Sequence, residues 1–352
     1  MPLVRHRRGS RASHAIGRNT VTHRHVAVLG TGSWGTVFAK LLELNGQKVK
    51  FWGSDPSVIS GIATTRRNPK FQPELLLSSL IEATSDPADA LTNSQLVVLA
   101  VPAQRLRANL ENWSALIPED AIVLSLIKGL EHDSGLRVSE VVSQFVSNKF
   151  AVLSGPNLAT EIAADQLAAA TVAATEASAA RLIQETCSSN NFKIYRSDDV
   201  VGVEIAGTTK NIISLATGIV IGLGYGENAQ AAMLTRGLAE MVAIGVAAGG
   251  KPETFLGLAG IGDLIATSQS PHSRNRSFGV LLGEGLGISE ATAQIGQTVE
   301  AMKSTDPILA MARKHGLELP IISHVAEILN AEKPARSILE VFDSADHRDE
   351  QY

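Results

Sequence analysis

The sequence predicts an α/β fold in which a mostly parallel, doubly wound Rossmann-type sheet domain is followed by an all-helical domain. Seven short apolar runs lie in the first 197 residues, and helix-like segments separate most of them. This alternation is typical of buried parallel strands. After about Ser197, strand-like runs nearly vanish, and long segments rich in Ala and Gly follow one another.

The seven runs justify the sheet one by one. Each is short and rich in β-branched or other apolar residues, and the first ends at a glycine. The predicted strands are HVAVLG (25–30), KVKFWG (48–53), QLVVLAVP (95–102), AIVLSLIKG (121–129), FAVLSG (150–155), AATVAA (169–174) and FKIYRS (192–197). In the second part of the chain the pattern predicts long helices at about 199–221 and 227–248.

Chain length indicates two domains, because 352 residues exceed one ordinary core. We expect a Rossmann dinucleotide-binding domain at 26–197 and an all-helical substrate and catalytic domain at 198–345. Residues 1–25 contain Arg and His but no acid, which predicts a disordered basic extension or an upstream start codon. An organelle transit peptide is the alternative for this segment.

Composition excludes several classes of function. A formal net charge of −4 and an aromatic content of 4% argue against nucleic-acid binding. No uninterrupted apolar run approaches the ~20 residues of a membrane span, so we expect no integral membrane segment. Cys187 is the one cysteine, which rules out an internal disulfide and a cysteine metal cluster. That usage fits a reducing compartment, and we expect the cytoplasm.

A glycine-rich turn follows the first predicted strand. Gly30, Gly32 and Gly35 form G-x-G-x-x-G between this strand and a helix-like segment. The first glycine permits a tight turn, the second lets the backbone approach a pyrophosphate, and the third lets the helix pack on the strand. With this context the pattern predicts a dinucleotide site, whereas a glycine-rich packing turn is the alternative.

The end of the second strand bears on cofactor choice. An acid there would hold the ribose 2′-hydroxyl of NAD. Gly53 and Ser54 occupy this tip, Asp55 comes one residue later, and Arg66 and Arg67 lie further on. The missing carboxylate at the tip, together with these two arginines, favours NADP or the use of both cofactors, whereas Asp55 would still allow NAD to bind.

Two lysines lie at positions where a charged side chain suggests a function. Lys128 ends the predicted strand 121–129, and ligands of open α/β sheets gather at the carboxyl ends of strands. Lys210 lies in an almost entirely apolar helical stretch, where burial would lower its pKa. The alternatives are a solvated lysine at a strand end and a lysine that reaches solvent along its helix.

The segment 257–279 could complete such a site. It begins with small residues, presents Asp263 as a possible partner for Lys210, and continues to the triplet Ser273–Asn275 after a proline. A helix that starts with an arginine and with hydroxyl or amide side chains suits a phosphate. For Asp263, capping of the helix that begins DLIAT is the alternative.

The sequence resembles the bacterial-type NAD(P)-dependent sn-glycerol-3-phosphate dehydrogenase family. The matching motifs run in the order of the family and cover about 26–330. They are GTGSWGT, NPKF (68–71), IKGLE (127–131), SGPNLATEIA (154–163), GVEIAGTTKNII (202–213), TRGLAEM (235–241), KPETFLGLAGIGDL (251–264), SRNRSFG (273–279) and IGQTVE (295–300). Asn157 stands where relatives often have Ser or Thr, so the sequence departs from the family pattern at this position.

The resemblance implies reversible hydride transfer between NAD(P)H and dihydroxyacetone phosphate, giving sn-glycerol 3-phosphate for phospholipid synthesis, and we expect a homodimer. It also implies a role for each matching position. The catalytic residues would be Lys210 as proton donor and acceptor, with Lys128 and Asp263. Substrate would be bound by these three and by Gly155, Asn157, Ser273, Arg274 and Asn275. The cofactor would be bound by Gly30, Gly32, Ser33, Trp34, Gly35, Ser54, Lys128, Ala159, Arg274, Thr298 and Glu300.

Two other functions compete with this hypothesis. One is a related two-domain dehydrogenase for another substrate, such as a hydroxy acid or an acyl-CoA, and the possible phosphate element at Ser273–Asn275 argues against it. The other is an inactive dinucleotide-binding sensor, and the presence of both lysines and Asp263 argues against that.

Overall fold

The structure is a computed structural model that describes residues 24–343. The basic extension expected at 1–25 therefore lies outside the described residues, except for its last two. Positions 344 and 345, the expected end of the helical domain, also lie outside them.

Eight strands form one sheet in the order β3-β2-β1-β4-β5-β6-β7-β8. Every neighbouring pair is parallel except β6 and β7, so the sheet is mostly parallel, as predicted. The strands are β1 His25–Leu29, β2 Lys48–Trp52, β3 Ile81–Thr84, β4 Leu96–Leu99, β5 Ile122–Ser125, β6 Phe150–Ser154, β7 Ala168–Ala174 and β8 Phe192–Ser197.

The sheet differs from the prediction in two respects. The edge strand β3 was not predicted, because its four residues include Glu82 and only Ile81 is buried. The run 121–129 was predicted as one strand, but β5 ends at Ser125, where the side-chain oxygen accepts the N–H of Ile127 at 3.1 Å. Lys128 therefore lies in the loop beyond the carboxyl end of β5 rather than in the strand.

Seven helices cover the two faces of the sheet. Phe38 of the first helix belongs to the apolar core on one face, and Trp52 meets Trp113 edge-on in the core on the other face. The helices are α1 Ser33–Leu44, α2 Pro56–Thr65, α3 Pro87–Leu91, α4 Ala103–Trp113, α5 Val138–Ser143, α6 Ala159–Ala163 and α7 Ala177–Cys187, and a short 3-10 turn spans Ser114–Leu116.

The rest of the described chain is helical, as predicted, and packs around one long helix, α8. The two long helices differ from their predicted bounds by at most one residue at each end. The helices are α8 Val200–Gly222, α9 Glu227–Ala247, α10 Pro252–Phe255, α11 Asp263–Gln269, α12 Arg274–Gly283, α13 Ile288–Ile295, α14 Ala301–Lys314, α15 Pro320–Leu329 and α16 Glu340–Asp343, with a π turn at Leu258–Gly262 and a 3-10 turn at Ala335–Leu339.

Helices α8 and α12 touch backbone to backbone. A Cβ atom added at Gly218 would lie 2.1 Å from the carbonyl oxygen of Arg276, and one added at Gly279 would lie 2.1 Å from that of Leu215. Glycine is therefore required at this crossing for steric reasons. The contact holds the start of α12 in a fixed relation to α8, and both elements carry predicted site residues.

Helix α8 is also joined to the sheet domain by a buried carboxylate. Glu204 accepts hydrogen bonds from Arg137 at 2.8 Å and from the backbone N–H of Ser139 at 2.7 Å. Within residues 24–343, α8 alone is long and apolar enough to cross a membrane. However, 89% of its most apolar window is buried inside the protein, as in the core helix of a folded domain.

Candidate active site

The glycine-rich turn leaves space where a pyrophosphate could lie. Gly30 has φ +127°, and a Cβ there would lie 2.4 Å from the carbonyl oxygen of Ala100. A Cβ at Gly35 would lie 2.1 Å from the carbonyl oxygen of Gly30, whereas one at Gly32 would meet nothing within 4 Å. Helix α1 begins beside this space without a side-chain cap, so its first N–H groups are available to an anion.

The start of α1 also presents polar side chains. The indole nitrogen of Trp34 is buried and has no hydrogen-bond partner among residues 24–343, although its ring packs edge-on against Phe38 and Phe192. Ser33 accepts a hydrogen bond from Gln72 at 2.6 Å. A buried, unpaired donor beside an open glycine turn fits a site that a polar cofactor completes.

The loop 66–72, which contains the motif NPKF, closes over this turn. Asn68 is fully buried, and its amide nitrogen donates to the carbonyl oxygen of Thr31 and to the hydroxyl of Thr36, both at 2.8 Å. With the contact from Gln72 to Ser33, two side chains of the loop 66–72 hold the glycine-rich turn. The motif NPKF was the available signal, although only the fold shows what it contacts.

At the tip of β2, Ser54 is exposed and Asp55 caps α2. Asp55 accepts hydrogen bonds from the N–H and hydroxyl of Ser57 at 3.0 and 2.6 Å. Arg66 donates to the carbonyl oxygen of Ile81, and Arg67 to backbone carbonyl oxygens of its own loop. The two arginines were expected to favour NADP, but both side chains are engaged in holding the loop.

The two lysines and the aspartate identified in the sequence converge. Lys128 Nζ lies 2.6 Å from Asp263 Oδ2, and Lys210 Nζ lies 3.3 Å from Asp263 Oδ1. Lys210 also donates to the hydroxyl of Thr267 at 2.7 Å, and that hydroxyl donates to Asp263 Oδ1 at 3.1 Å. Asp263 is the first residue of α11, after the π turn, and is not its N-cap.

Burial sets the charge state of this cluster. Lys210 and Asp263 are only 6% and 2% exposed. Burial, with a contribution from the nearby Lys128, lowers the pKa of Lys210 to about 8, although Asp263 opposes the shift. Burial alone would raise the pKa of Asp263, but the two ammonium groups hold it below its ordinary value. Lys210 is therefore mostly protonated at neutral pH and can lose its proton slightly above it.

Lys128 is also linked to the loop after β6. Its ammonium group donates to Asn157 Oδ1 at 2.7 Å and to the carbonyl oxygen of Gly155 at 3.1 Å, and Gly155 has φ +147°. The amide nitrogen of Asn157 is buried and has no hydrogen-bond partner in the described part of the chain. It is thus a free donor beside the lysine cluster. Ala159 begins α6 two residues later.

A second polar chain begins next to Lys210. Asn211 donates to Glu300 Oε2 at 2.8 Å and accepts from the amide of Asn275 at 2.9 Å. Asn275 in turn accepts the backbone N–H of Ala301 at 3.1 Å. The chain connects α8, α12 and the start of α14, and its member Asn211 was missed in the sequence.

The other predicted positions lie at the surface or in caps. The side-chain oxygen of Ser273 accepts the N–H of Arg276 at 3.3 Å and so caps α12. Arg274 is the first residue of α12 and is exposed, as is Thr298. Ser273 thus has a structural role independent of any ligand, whereas the side chain of Arg274 faces solvent.

Comparison with known proteins gives one answer along most of the chain. The family model for the N-terminus of NAD-dependent glycerol-3-phosphate dehydrogenase matches residues 25–180, and that for its C-terminus matches residues 199–340. A glycerol-3-phosphate dehydrogenase [NAD(P)+] of Thermobifida fusca is 44% identical over 93% of this chain and 98% of its own length. One of Frankia casuarinae is 46% identical over 87% of this chain and 92% of its own.

A solved structure agrees with these matches. The glycerol-3-phosphate dehydrogenase of Coxiella burnetii superposes with a TM-score of 0.88 at 34% identity, covering 93% of this chain and 99% of its own. The mostly parallel sheet, the helical region and the family matches therefore lead to the same conclusion. The chain belongs to the NAD-dependent glycerol-3-phosphate dehydrogenase family.

Proposed function

We propose that this protein is an NAD(P)-dependent glycerol-3-phosphate dehydrogenase that interconverts dihydroxyacetone phosphate and sn-glycerol 3-phosphate. The observation that carries the proposal is the convergence of Lys128, Lys210 and Asp263 from three distant parts of the chain. The relatives from Thermobifida fusca and Frankia casuarinae bear the same activity in their names and point to both cofactors.

Lys210 is the proposed acid and base. When bound, the reduced nicotinamide supplies a hydride to the carbonyl carbon of the substrate. Lys210 donates its proton to the carbonyl oxygen, and in the reverse direction the neutral amine removes the proton of the alcohol. A pKa of about 8 suits both tasks near neutral pH. Its ammonium also stabilises negative charge as it develops on that oxygen.

Asp263 and Thr267 position the ammonium of Lys210, since each lies on α11 and contacts its Nζ atom. The two ammonium groups can pair directly with an anionic substrate, although the carboxylates of Asp263 and Glu300 offset their net charge. The unpaired amide nitrogen of Asn157 can donate to the substrate there. Arg274 and the first N–H groups of α12 are the proposed phosphate contacts, with Ser273 and Asn275 beside them.

The cofactor is proposed to lie on the glycine-rich turn. The open space at Gly32 and the uncapped start of α1 suit the pyrophosphate, and the indole nitrogen of Trp34 is a free donor nearby. Further proposed contacts are Ser33, Ser54, Lys128, Ala159, Arg274, Thr298 and Glu300. In this scheme the sheet domain, 26–197, holds the cofactor, and the helical domain, 198–345, supplies Lys210 and Asp263.

A substrate panel tests the proposal. We expect the purified protein to oxidise NADH and NADPH with dihydroxyacetone phosphate, and to do so poorly with dihydroxyacetone, a 2-oxo acid or an acyl-CoA. Turnover of one of the other substrates with none of dihydroxyacetone phosphate would identify a different dehydrogenase. Cofactor binding without turnover of any substrate would identify a sensor.

Three finer features complete the proposal. We propose that the protein forms a homodimer, works in the cytoplasm and supplies glycerol phosphate to phospholipid synthesis. The first is tested by light scattering of the full chain across a range of concentrations, where a constant monomer mass would contradict it.

A further inference from the structure

The tip of β2 lies against the glycine-rich turn. A Cβ added at Gly53 would lie 2.5 Å from the hydroxyl of Thr31. In dinucleotide-binding folds, side chains at this tip meet the ribose that carries the 2′-hydroxyl of NAD or the 2′-phosphate of NADP. The groups just after Gly53 therefore decide which of the two cofactors is accepted.

The carboxylate at this place is already engaged. Asp55 accepts two hydrogen bonds from Ser57, which lower its pKa, so the carboxylate is charged at neutral pH. A charged carboxylate beside the ribose would repel a 2′-phosphate. Lys70 lies opposite, with its Nζ atom 3.4 Å from Asp55 Oδ2, and offsets this charge.

Lys70 is also the available cation of this region. Residues 53–72 contain three cationic side chains. Those of Arg66 and Arg67 donate to backbone carbonyl oxygens and hold the loop. The side chain of Lys70 is 60% exposed, and its contacts are with the Asp55 carboxylate and the face of the Phe71 ring, so its ammonium can turn to a ligand at little cost.

The backbone that carries Lys70 is nevertheless fixed. Asn68, two residues earlier, is buried against the glycine-rich turn, and its side-chain oxygen accepts the N–H of Lys70 at 3.2 Å. Gln72, two residues later, holds Ser33. A flexible ammonium therefore extends from a rigid base located between the turn and the tip of β2.

We propose that Lys70 is a specificity-determining residue that binds the 2′-phosphate of NADP. With NADP, its ammonium moves from Asp55 to the phosphate; with NAD, it stays paired with Asp55. One exchangeable ion pair thus accounts for the use of both cofactors. The inference rests on the proposed function for its cofactor, but its test measures binding.

The experiment is calorimetric titration of the full chain with NADPH, NADH, 2′,5′-ADP and 5′-AMP. We expect Lys70→Ala to weaken binding of NADPH and 2′,5′-ADP about tenfold, the loss of one charge-assisted contact. Binding of NADH and 5′-AMP should stay within about twofold. Lys70→Glu should weaken the two phosphorylated ligands further. High salt should reduce the difference in NADPH affinity between wild type and the variants.

Lys149→Ala is the matched control. Lys149 lies in the same domain, pairs with Glu176 at 2.8 Å and is similarly exposed. It precedes β6 and so lies at the amino-terminal edge of the sheet, away from the proposed cofactor site. Its loss should leave all four affinities unchanged.

Three results would overturn the inference: equal weakening of NADPH and NADH by Lys70→Ala, no weakening of either, or the same effect from Lys149→Ala. The proposed function fails separately. Wild type could bind both cofactors, and Lys70→Ala could weaken NADPH binding as expected, while dihydroxyacetone phosphate is not reduced. The role of Lys70 would then be supported, and the proposed substrate would be wrong.

Discussion

Lys210 and Asp263 face each other across 3.3 Å, one on a helix that begins just after the sheet and the other 53 residues further along the chain. Lys128 occupies the other carboxylate oxygen at 2.6 Å. One buried carboxylate therefore holds two ammonium groups, and the charge of each depends on the others. This coupling makes the first prediction one of pH dependence.

We expect kcat/KM for reduction of dihydroxyacetone phosphate to fall as pH rises through about 8, because Lys210 must be protonated to act as acid. The reverse reaction needs the neutral amine, so its kcat/KM should rise with pH up to the same value. Initial rates should be measured above pH 7, where the substrate phosphate is already ionised. If kcat/KM for reduction stayed constant from pH 7 to 9.5, Lys210 would not be the general acid.

Asp263→Asn tests the coupling itself. The carboxylate raises the pKa of Lys210 against the effect of burial, so its loss should shift the falling limb of the profile to lower pH. The variant should also be less stable by about 3–5 kcal/mol, because the buried Lys210 and the partly buried Lys128 lose their counter-charge. Urea unfolding measures this stability, and an unchanged pH limb in a folded variant would contradict the coupling.

Lys210→Met should keep the fold and lose the chemistry. Methionine fills similar apolar volume without a charge, so cofactor affinity should remain near that of wild type. We expect kcat to fall about 10²–10⁴-fold, as for removal of a general acid. Lys333→Met, which removes a surface lysine of two exposed ion pairs, is the control and should leave kcat unchanged. A kcat for Lys210→Met within a few-fold of wild type would exclude the catalytic role.

The sequence predicted which residues form this cluster better than it predicted the hydrogen bonds between them. A lone lysine in an apolar helix and an aspartate after small residues both suggested a site, because each places a charge where a structural role is costly. Thr267 lies four residues after Asp263, on the same face of α11, so its spacing was a usable signal. The link from Asn211 to Glu300 joins α8 to the start of α14 and has no local sequence signal.

The same limit applies to the fold. Central strands such as β4 were predictable because they are continuous apolar runs, whereas β3 lies at the edge with an exposed Glu82 and gives a weak pattern. The end of β5 depends on one hydrogen bond from Ile127 to Ser125, which no periodicity reveals. The glycines spaced four apart, Gly218 and Gly222 on α8 and Gly279 and Gly283 on α12, are a local signal of close helix packing that the sequence argument did not use.

That packing gives a stability prediction. Gly279→Ala adds a methyl group 2.1 Å from the carbonyl oxygen of Leu215, so α8 and α12 must separate. We expect a loss of about 1–3 kcal/mol, the usual cost of overpacking, seen as a lower urea midpoint. Gly257→Ala is the control, since its added methyl group would have no neighbour closer than 3.4 Å. Equal midpoints for the two variants would show that the crossing tolerates a methyl group.

Arg274 provides the test of phosphate recognition. It is the first residue of α12 and is exposed, so its guanidinium is accessible to a ligand at the helix start. An arginine can grip two phosphate oxygens at once, and the unpaired N–H groups of the helix add to this attraction. Losing such a contact costs about 1.5–3 kcal/mol, roughly ten- to over a hundredfold in binding.

We therefore expect Arg274→Lys and Arg274→Ala to raise KM for dihydroxyacetone phosphate, the alanine variant by more. The phosphate-free analogue dihydroxyacetone should be a poor substrate of wild type and should be affected much less by either change. Arg313→Ala, at an exposed arginine near the end of α14, should alter neither substrate. If kcat/KM fell by the same factor for both substrates, Arg274 would not contact the phosphate, and its role would be that of a structural residue at the start of α12.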